Sequence, residues 1–109
     1  MPMKKMVLVI DDNYMNRLIL KNILDSEYRV LQAENGEEAL EILRKEKDNI
    51  SAVLLDTVMP VMDGYAFLSE KLKDEELVHI PVIVTAQYED EALEVEALSR
   101  GASDFWQSL

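Results

Sequence analysis

Three aspartates carry the chemistry that this chain can do. Asp11 and Asp12 close an apolar run, Val7-Leu8-Val9-Ile10, and Asp56 closes another, Ala52-Val53-Leu54-Leu55. If both runs are parallel strands of one sheet, the three carboxylates gather at one sheet edge. Like charges in one site repel and raise each other's pKa, so such a cluster calls for a divalent cation, a phosphoryl group, or both. Mg²⁺ favours oxygen ligands and is usually held by one or two carboxylates together with phosphate oxygens. Asp12 and Asp56 can supply such ligands, with Asp11 holding a water beyond them. The Val58 carbonyl can add another, because Pro60 and Gly64 bend the following loop back over the strand end. A carboxylate is also a nucleophile toward phosphorus, giving an aspartyl phosphate. Asp56, alone at its strand end, is the natural nucleophile, and the Thr85 hydroxyl can donate to a phosphoryl oxygen. Each residue also has a plainer use: Asp12 or Asn13 as cap of a first helix, Asp63 of a third, and Thr85 of a fourth or in a turn.

The elements that must position these residues are legible as pattern. Apolar runs at Val7–Ile10, Tyr28–Gln32, Ala52–Leu55 and Pro81–Val84, with a weaker one at Ser103–Trp106, suit strands covered on both faces. Between them lie amphipathic stretches. Asn13–Asp25 carries Leu20, Ile23 and Leu24 on one face, and Asn35–Glu46 carries Ala39, Ile42 and Leu43. Asp63–Lys73 carries Tyr65, Leu68 and Leu72, and Glu89–Arg100 carries Leu93, Ala97 and Leu98. Asn35 with Glu38 resembles a capping box, and Gly101 is a helix stop. The alternation predicts an α/β fold: a doubly wound, five-stranded parallel sheet with helices on both faces. Ligands of such sheets sit beyond the carboxyl ends of the strands, where the strand order reverses. Asp11, Asp12, Asp56 and Thr85 all fall at those ends.

Composition narrows the field. The 109 residues make one domain, spanning 1–109. With 22 acidic against 11 basic residues, the net charge of −11 argues against direct binding to nucleic acid. Much of that charge reads as solvated helix starts and loops, at Glu37-Glu38, Asp74-Glu75-Glu76 and Glu89-Asp90-Glu91. No apolar run is long enough to cross a membrane, and the short one after Lys4-Lys5 does not make a signal peptide. The absence of cysteine excludes a disulfide scaffold and thiolate zinc, and makes a cytoplasmic location the default. No G-x-x-x-x-G-K-[ST] or G-x-G-x-x-G loop is present, which disfavours nucleotide sites. His79, the single histidine, precedes Ile80-Pro81 and reads as a surface residue.

Together these residues resemble the receiver domain of two-component response regulators. The resemblance rests on Val7-Leu8-Val9-Ile10-Asp11-Asp12-Asn13 with Arg17, and on Leu54-Leu55-Asp56 followed by Met59-Pro60-Val61-Met62-Asp63-Gly64. It extends to Pro81-Val82-Ile83-Val84-Thr85-Ala86 and to Gly101-Ala102-Ser103-Asp104-Phe105. It implies strand order 2-1-3-4-5. It implies that Asp56 takes a phosphoryl group from a histidine kinase or phosphotransfer protein, with Mg²⁺ held by Asp11, Asp12, Asp56 and the Val58 carbonyl. Thr85 is then the switch hydroxyl and Phe105 the switch aromatic, read out by an output domain or a homodimer. On this reading the chain is a signalling module and not an enzyme with turnover.

Two departures stand out. The lysine that such domains carry after the aromatic of the fifth strand is replaced by Ser108, with Leu109 where proline is expected. A fifth helix does not follow, so the domain reads as truncated at its C-terminal end, with an uncovered sheet face. That face predicts a longer parent protein, a second chain covering it, or marginal stability. Two alternatives follow: a degenerate receiver serving as a protein-interaction or dimerisation module, and a haloacid-dehalogenase-like Mg²⁺-dependent phosphatase. The phosphatase pattern wants a second Asp where Val58 stands.

Overall fold

The computed structural model describes residues 4–56, 61–86, 91–99 and 101–107; the side chains of 56, 61–63, 65, 86, 91–94 and 105–107 fall outside that description. Strands and helices alternate: β1 (Lys5–Ile10), α1 (Tyr14–Leu24), β2 (Tyr28–Ala33), α2 (Gly36–Glu46), β3 (Ile50–Asp56), α3 (Val61–Lys73), β4 (Val82–Ala86), α4 (Glu91–Ser99) and β5 (Asp104–Gln107). The strands form the one five-stranded parallel sheet that the alternation predicts, in the order β2-β1-β3-β4-β5 that the resemblance implies. The order reverses between β1, which Asp11 and Asp12 follow directly, and β3, which ends in Asp56.

Strand pleating and register divide the sheet into two faces. Leu8 pairs with Val53 and Val53 with Val82, and all three are fully buried in the main core with Leu43 and Phe67. On the opposite face Val7 and Val9 are also buried, whereas Ala52, Leu54 and Ile83 keep intermediate exposure. The face expected to be open is therefore partly so.

Helix starts follow their caps. The Asn13 side chain accepts from the Asn16 N–H at the head of α1, and that of Asn35 accepts from the Glu38 N–H at the head of α2. Asp63 does not cap α3, which begins two residues earlier at Val61. Thr85 does not cap α4 either, because it lies inside β4, which runs on to Ala86.

The predicted apolar faces need three corrections. Ile23 is 66% exposed, because α1 turns Arg17, Leu20 and Leu24 toward the sheet and leaves Met15, Ile19 and Ile23 as an outer stripe at helical spacing. Leu72 is half-exposed, because the inward row of α3 runs Gly64, Phe67, Leu68 and Lys71. Leu98 is also exposed, and Ala97 takes the inward position on α4. Tyr65, Leu93 and the acidic pair Glu89-Asp90 lie outside the described side chains. His79 is exposed, as expected.

The end of α4 is a Schellman turn. Gly101 N–H donates to the Leu98 carbonyl at 3.2 Å and Ala102 N–H to the Ala97 carbonyl at 3.0 Å. Gly101 has φ of 102°, and a Cβ there would lie 3.3 Å from Leu72 Cδ1. Gly101→Ala is expected to cost about 1–2 kcal/mol through left-handed strain. Urea denaturation checks the value; an unchanged midpoint would contradict the turn.

Lys71 is a charged residue buried where the pattern predicts none. It is only 4% exposed, and its Nζ reaches the Val78 carbonyl at 3.4 Å. Burial holds its pKa below the usual 10.5. Below the folded-state pKa the charged form carries its full burial cost. Between that pKa and 10.5 the unfolded chain binds more protons, so stability rises with pH across that window. Lys71→Met is expected to gain about 1 kcal/mol at neutral pH and to abolish this alkaline rise. Denaturation midpoints measured from neutral pH to above 10.5 read both effects.

Candidate functional site

The carboxyl ends of β1, β3 and β4 assemble the candidate site. Ile10 pairs with Leu55, so Asp11 and Asp56 leave adjacent parallel strands at the same level. On its other side Asp56 pairs with Thr85, and Thr85 pairs with Trp106. Asp56 thus stands on the central strand, between the acid pair of β1 and the hydroxyl-bearing residue of β4. The register fixes this neighbourhood through backbone pairing, whatever rotamer each side chain adopts.

Asp11 is fully buried. Its N–H extends the sheet one step past β1 by donating to the Ala33 carbonyl at 3.1 Å. Its Oδ1 accepts from the Asn13 N–H at 2.8 Å, closing a small turn that feeds α1. Its carbonyl accepts from Arg17 Nη1 at 2.6 Å. Asp12, by contrast, is exposed at the mouth of the site. Asn13 is the helix cap, so the capping use that sequence left open between Asp12 and Asn13 falls to Asn13, leaving Asp12 without that task.

Thr85 is partly buried. Phe105 lies in β5 opposite Val84. Val58 and Ser108 lie outside the described residues, as does the side chain of Asp56. Among the described residues no group of three or more carboxylates, histidines or cysteines has metal-holding geometry. The donors that topology brings together are nonetheless all oxygen: two consecutive aspartates and a third at the neighbouring strand end. A hard, oxygen-seeking divalent cation such as Mg²⁺ fits that chemistry, and a thiophilic metal does not.

The contacts that support the acid pair were not legible in the chain. Gln32 Oε1 accepts from Arg17 Nε at 3.2 Å, and the Arg17 guanidinium stands 5.6 Å from the Tyr14 ring centroid. Sequence marks Arg17 as part of the motif around the acid pair, without a partner or a role. Its burial becomes legible only once α1 is laid over β1 and β2.

Comparison with known proteins bears on the whole arrangement. Residues 7–107 match the response regulator receiver domain family. The chain is 39% identical over 103 residues to the probable transcriptional regulator ycf27 of Cyanophora paradoxa, covering 94% of this chain and 41% of that protein. It is 34% identical over 100 residues to the two-component response regulator ORR5 of Oryza sativa subsp. japonica, covering 91% of this chain and 74% of the relative. The chain thus spans less than half of the first relative, and a tenth or less of two matched histidine kinases. Among solved structures, a chain of the CheX–CheY–BeF3–Mg²⁺ complex from Borrelia burgdorferi superposes with a TM-score of 0.84 at 30% identity, over 96% of this chain and 78% of that one. Among the described residues, no helix is long and apolar enough to cross a membrane.

Proposed function

The chain belongs to the response regulator receiver domain family, and from that premise we propose that Asp56 accepts a phosphoryl group from a histidine kinase or phosphotransfer protein. The observation that carries this reading is the register. Asp56 ends the central strand with Asp11 one step past the neighbouring end of β1 and Thr85 opposite it on β4. A carboxylate oxygen of Asp56 attacks phosphorus, an O–P bond forms, and the bond from phosphorus to the donor atom breaks, leaving its electron pair on the donor.

Asp11, Asp12, Asp56 and the Val58 carbonyl would hold Mg²⁺. Bound there, Mg²⁺ offsets negative charge on the incoming phosphoryl oxygens. The relative from Borrelia burgdorferi, crystallised with BeF3 and Mg²⁺, supports the choice of cation. The buried Asp11 carboxylate is anchored by the Asn13 N–H, while the exposed Asp12 meets solvent at the mouth of the site. Thr85 moves toward the phosphoryl group and donates a hydroxyl hydrogen bond to one of its oxygens, and Phe105 on the neighbouring strand turns inward after it. One local charge thereby shifts the population between two states.

Ser108 stands at the lysine position, so the phosphoryl group gains no cationic partner from that residue. We expect acceptance at Asp56 to be intact and its coupling to the α4–β5 face to be weak. An output domain or a second copy reads that face. The chain acts as a phosphoacceptor in the cytoplasm, with at most its own phosphorylation and dephosphorylation as catalysis. Incubation with acetyl phosphate and Mg²⁺, followed by intact-mass measurement, tests the reading. A single phosphoryl adduct that chelator prevents is the expected result, and no adduct on a folded chain would contradict it. That contrary result, with Mg²⁺ binding also undetectable, would favour the alternative of a degenerate receiver serving as a protein-interaction module.

A further inference from the structure

Arg17 is buried at the start of α1, in a chain whose described charged residues are otherwise mostly exposed. Its side chain folds back toward the helix start, the direction in which helical side chains lean. There the guanidinium meets three groups from three places. Nη1 donates to the carbonyl of Asp11 at 2.6 Å, Nε donates to Gln32 Oε1 on β2 at 3.2 Å, and the ring of Tyr14 lies 5.6 Å from Cζ. The backbone N–H of the same residue donates to the Asn13 carbonyl at 3.1 Å. One residue therefore grips the Asp11-Asp12-Asn13 turn at both its ends and ties it to the neighbouring strand. The turn is further held by Asn13 N–H to Asp11 Oδ1 at 2.8 Å, Asp11 N–H to the Ala33 carbonyl at 3.1 Å and Asn16 N–H to Asn13 Oδ1 at 3.1 Å.

We infer that Arg17 is a positioning residue for the cation site: by fixing the Asp11 carbonyl, it sets the direction in which the Asp11 and Asp12 carboxylates are presented. This rests on the proposed metal role of those aspartates. A fork is required for the task. The two N–H vectors of a planar guanidinium can satisfy the Asp11 carbonyl and Gln32 at once, and a lysine ammonium on a flexible stem does not reproduce that pair. Residues that orient metal ligands without touching the metal typically change affinity 10–100-fold when replaced.

Charge and positioning predict opposite signs here, which makes the role separable from a general one. As a cation near a cation site, Arg17 repels Mg²⁺. If its charge were its only influence, Arg17→Met would tighten Mg²⁺ binding. If it positions the carboxylates, Arg17→Met weakens binding, and Arg17→Lys weakens it as well although the charge is kept.

The test is a titration of the ¹⁵N-labelled chain with MgCl₂, followed through backbone amide shifts well below the unfolding temperature. Wild type, Arg17→Lys, Arg17→Met and Gln32→Leu are compared. The expected result is a Kd about 10-fold weaker for both Arg17 variants and a smaller loss for Gln32→Leu. The Asn13 amide should move upfield in the metal-free Arg17 variants as its bond to Asp11 loosens. Gln32→Leu keeps the arginine and guards against loss of folding in the others. A wild-type response that all three variants reproduce within about twofold, or tighter binding by Arg17→Met, overturns the role of Arg17 alone. No shift in wild type overturns the metal site itself, and this inference with it.

Discussion

Asp56→Asn should abolish phosphoryl acceptance from acetyl phosphate, with the adduct falling to background in intact-mass measurement while the fold persists. The loss should be complete because an amide is a very weak nucleophile toward phosphorus, and neither neighbouring acid is placed to replace it. Asp11 is fully buried, with Oδ1 engaged by the Asn13 N–H and its carbonyl by Arg17. Asp12 is exposed and follows β1 rather than standing in register with Thr85. Asp56 alone pairs with Thr85 and also neighbours the acid pair. The substitution also removes one of the like charges gathered at the sheet edge, so thermal stability should stay the same or rise. Persistent labelling of Asp56→Asn at more than about a tenth of the wild-type level would move the nucleophile elsewhere.

Phe67→Ala should cost about 3–5 kcal/mol. Phe67 is 1% exposed, is the largest fully buried side chain among the described residues, and lies in the inward row of α3 against the main core. Removing the ring subtracts transfer free energy and leaves a cavity in a sheet–helix interface that can collapse only in part. Domains of this size have total stabilities on the order of 5–15 kcal/mol, so the variant should be largely unfolded at modest urea. Phe67→Leu, which keeps most of the volume, should lose only about 1 kcal/mol. Paired urea denaturation curves measure both, and equal losses in the two variants would show that ring volume is not what matters.

How much of this was legible in the chain follows from physical cause. Val7–Ile10 and Ala52–Leu55 announced themselves because strands buried on both faces are apolar at nearly every position. Both strands extend beyond those runs, β1 back to Lys5 and β3 back to Ile50 and on to Asp56, because backbone pairing continues past the unbroken apolar stretch. Gly101 was legible because a left-handed helix stop selects for glycine. The errors lie on helix faces. Apolar character alone predicts Ile23, Leu72 and Leu98 inward, yet helix direction over the sheet decides which row faces in, and Arg17 and Lys71 occupy inward positions instead. A hydrophobic pattern cannot reveal a long cationic side chain that buries its stem. In the site, the acid residues were legible from their strand-end spacing. The Arg17–Gln32 contact was not, because it joins residues on different elements through a geometry that only packing creates.

The most direct test of the central claim is chemical localisation of the phosphoryl group. After brief incubation with acetyl phosphate and Mg²⁺, borohydride reduction converts an aspartyl phosphate to homoserine, which tandem mass spectrometry of peptides can place. Homoserine at position 56, dependent on Mg²⁺, is the predicted result. Homoserine at position 11 or 12, or none on a folded chain, would contradict the account.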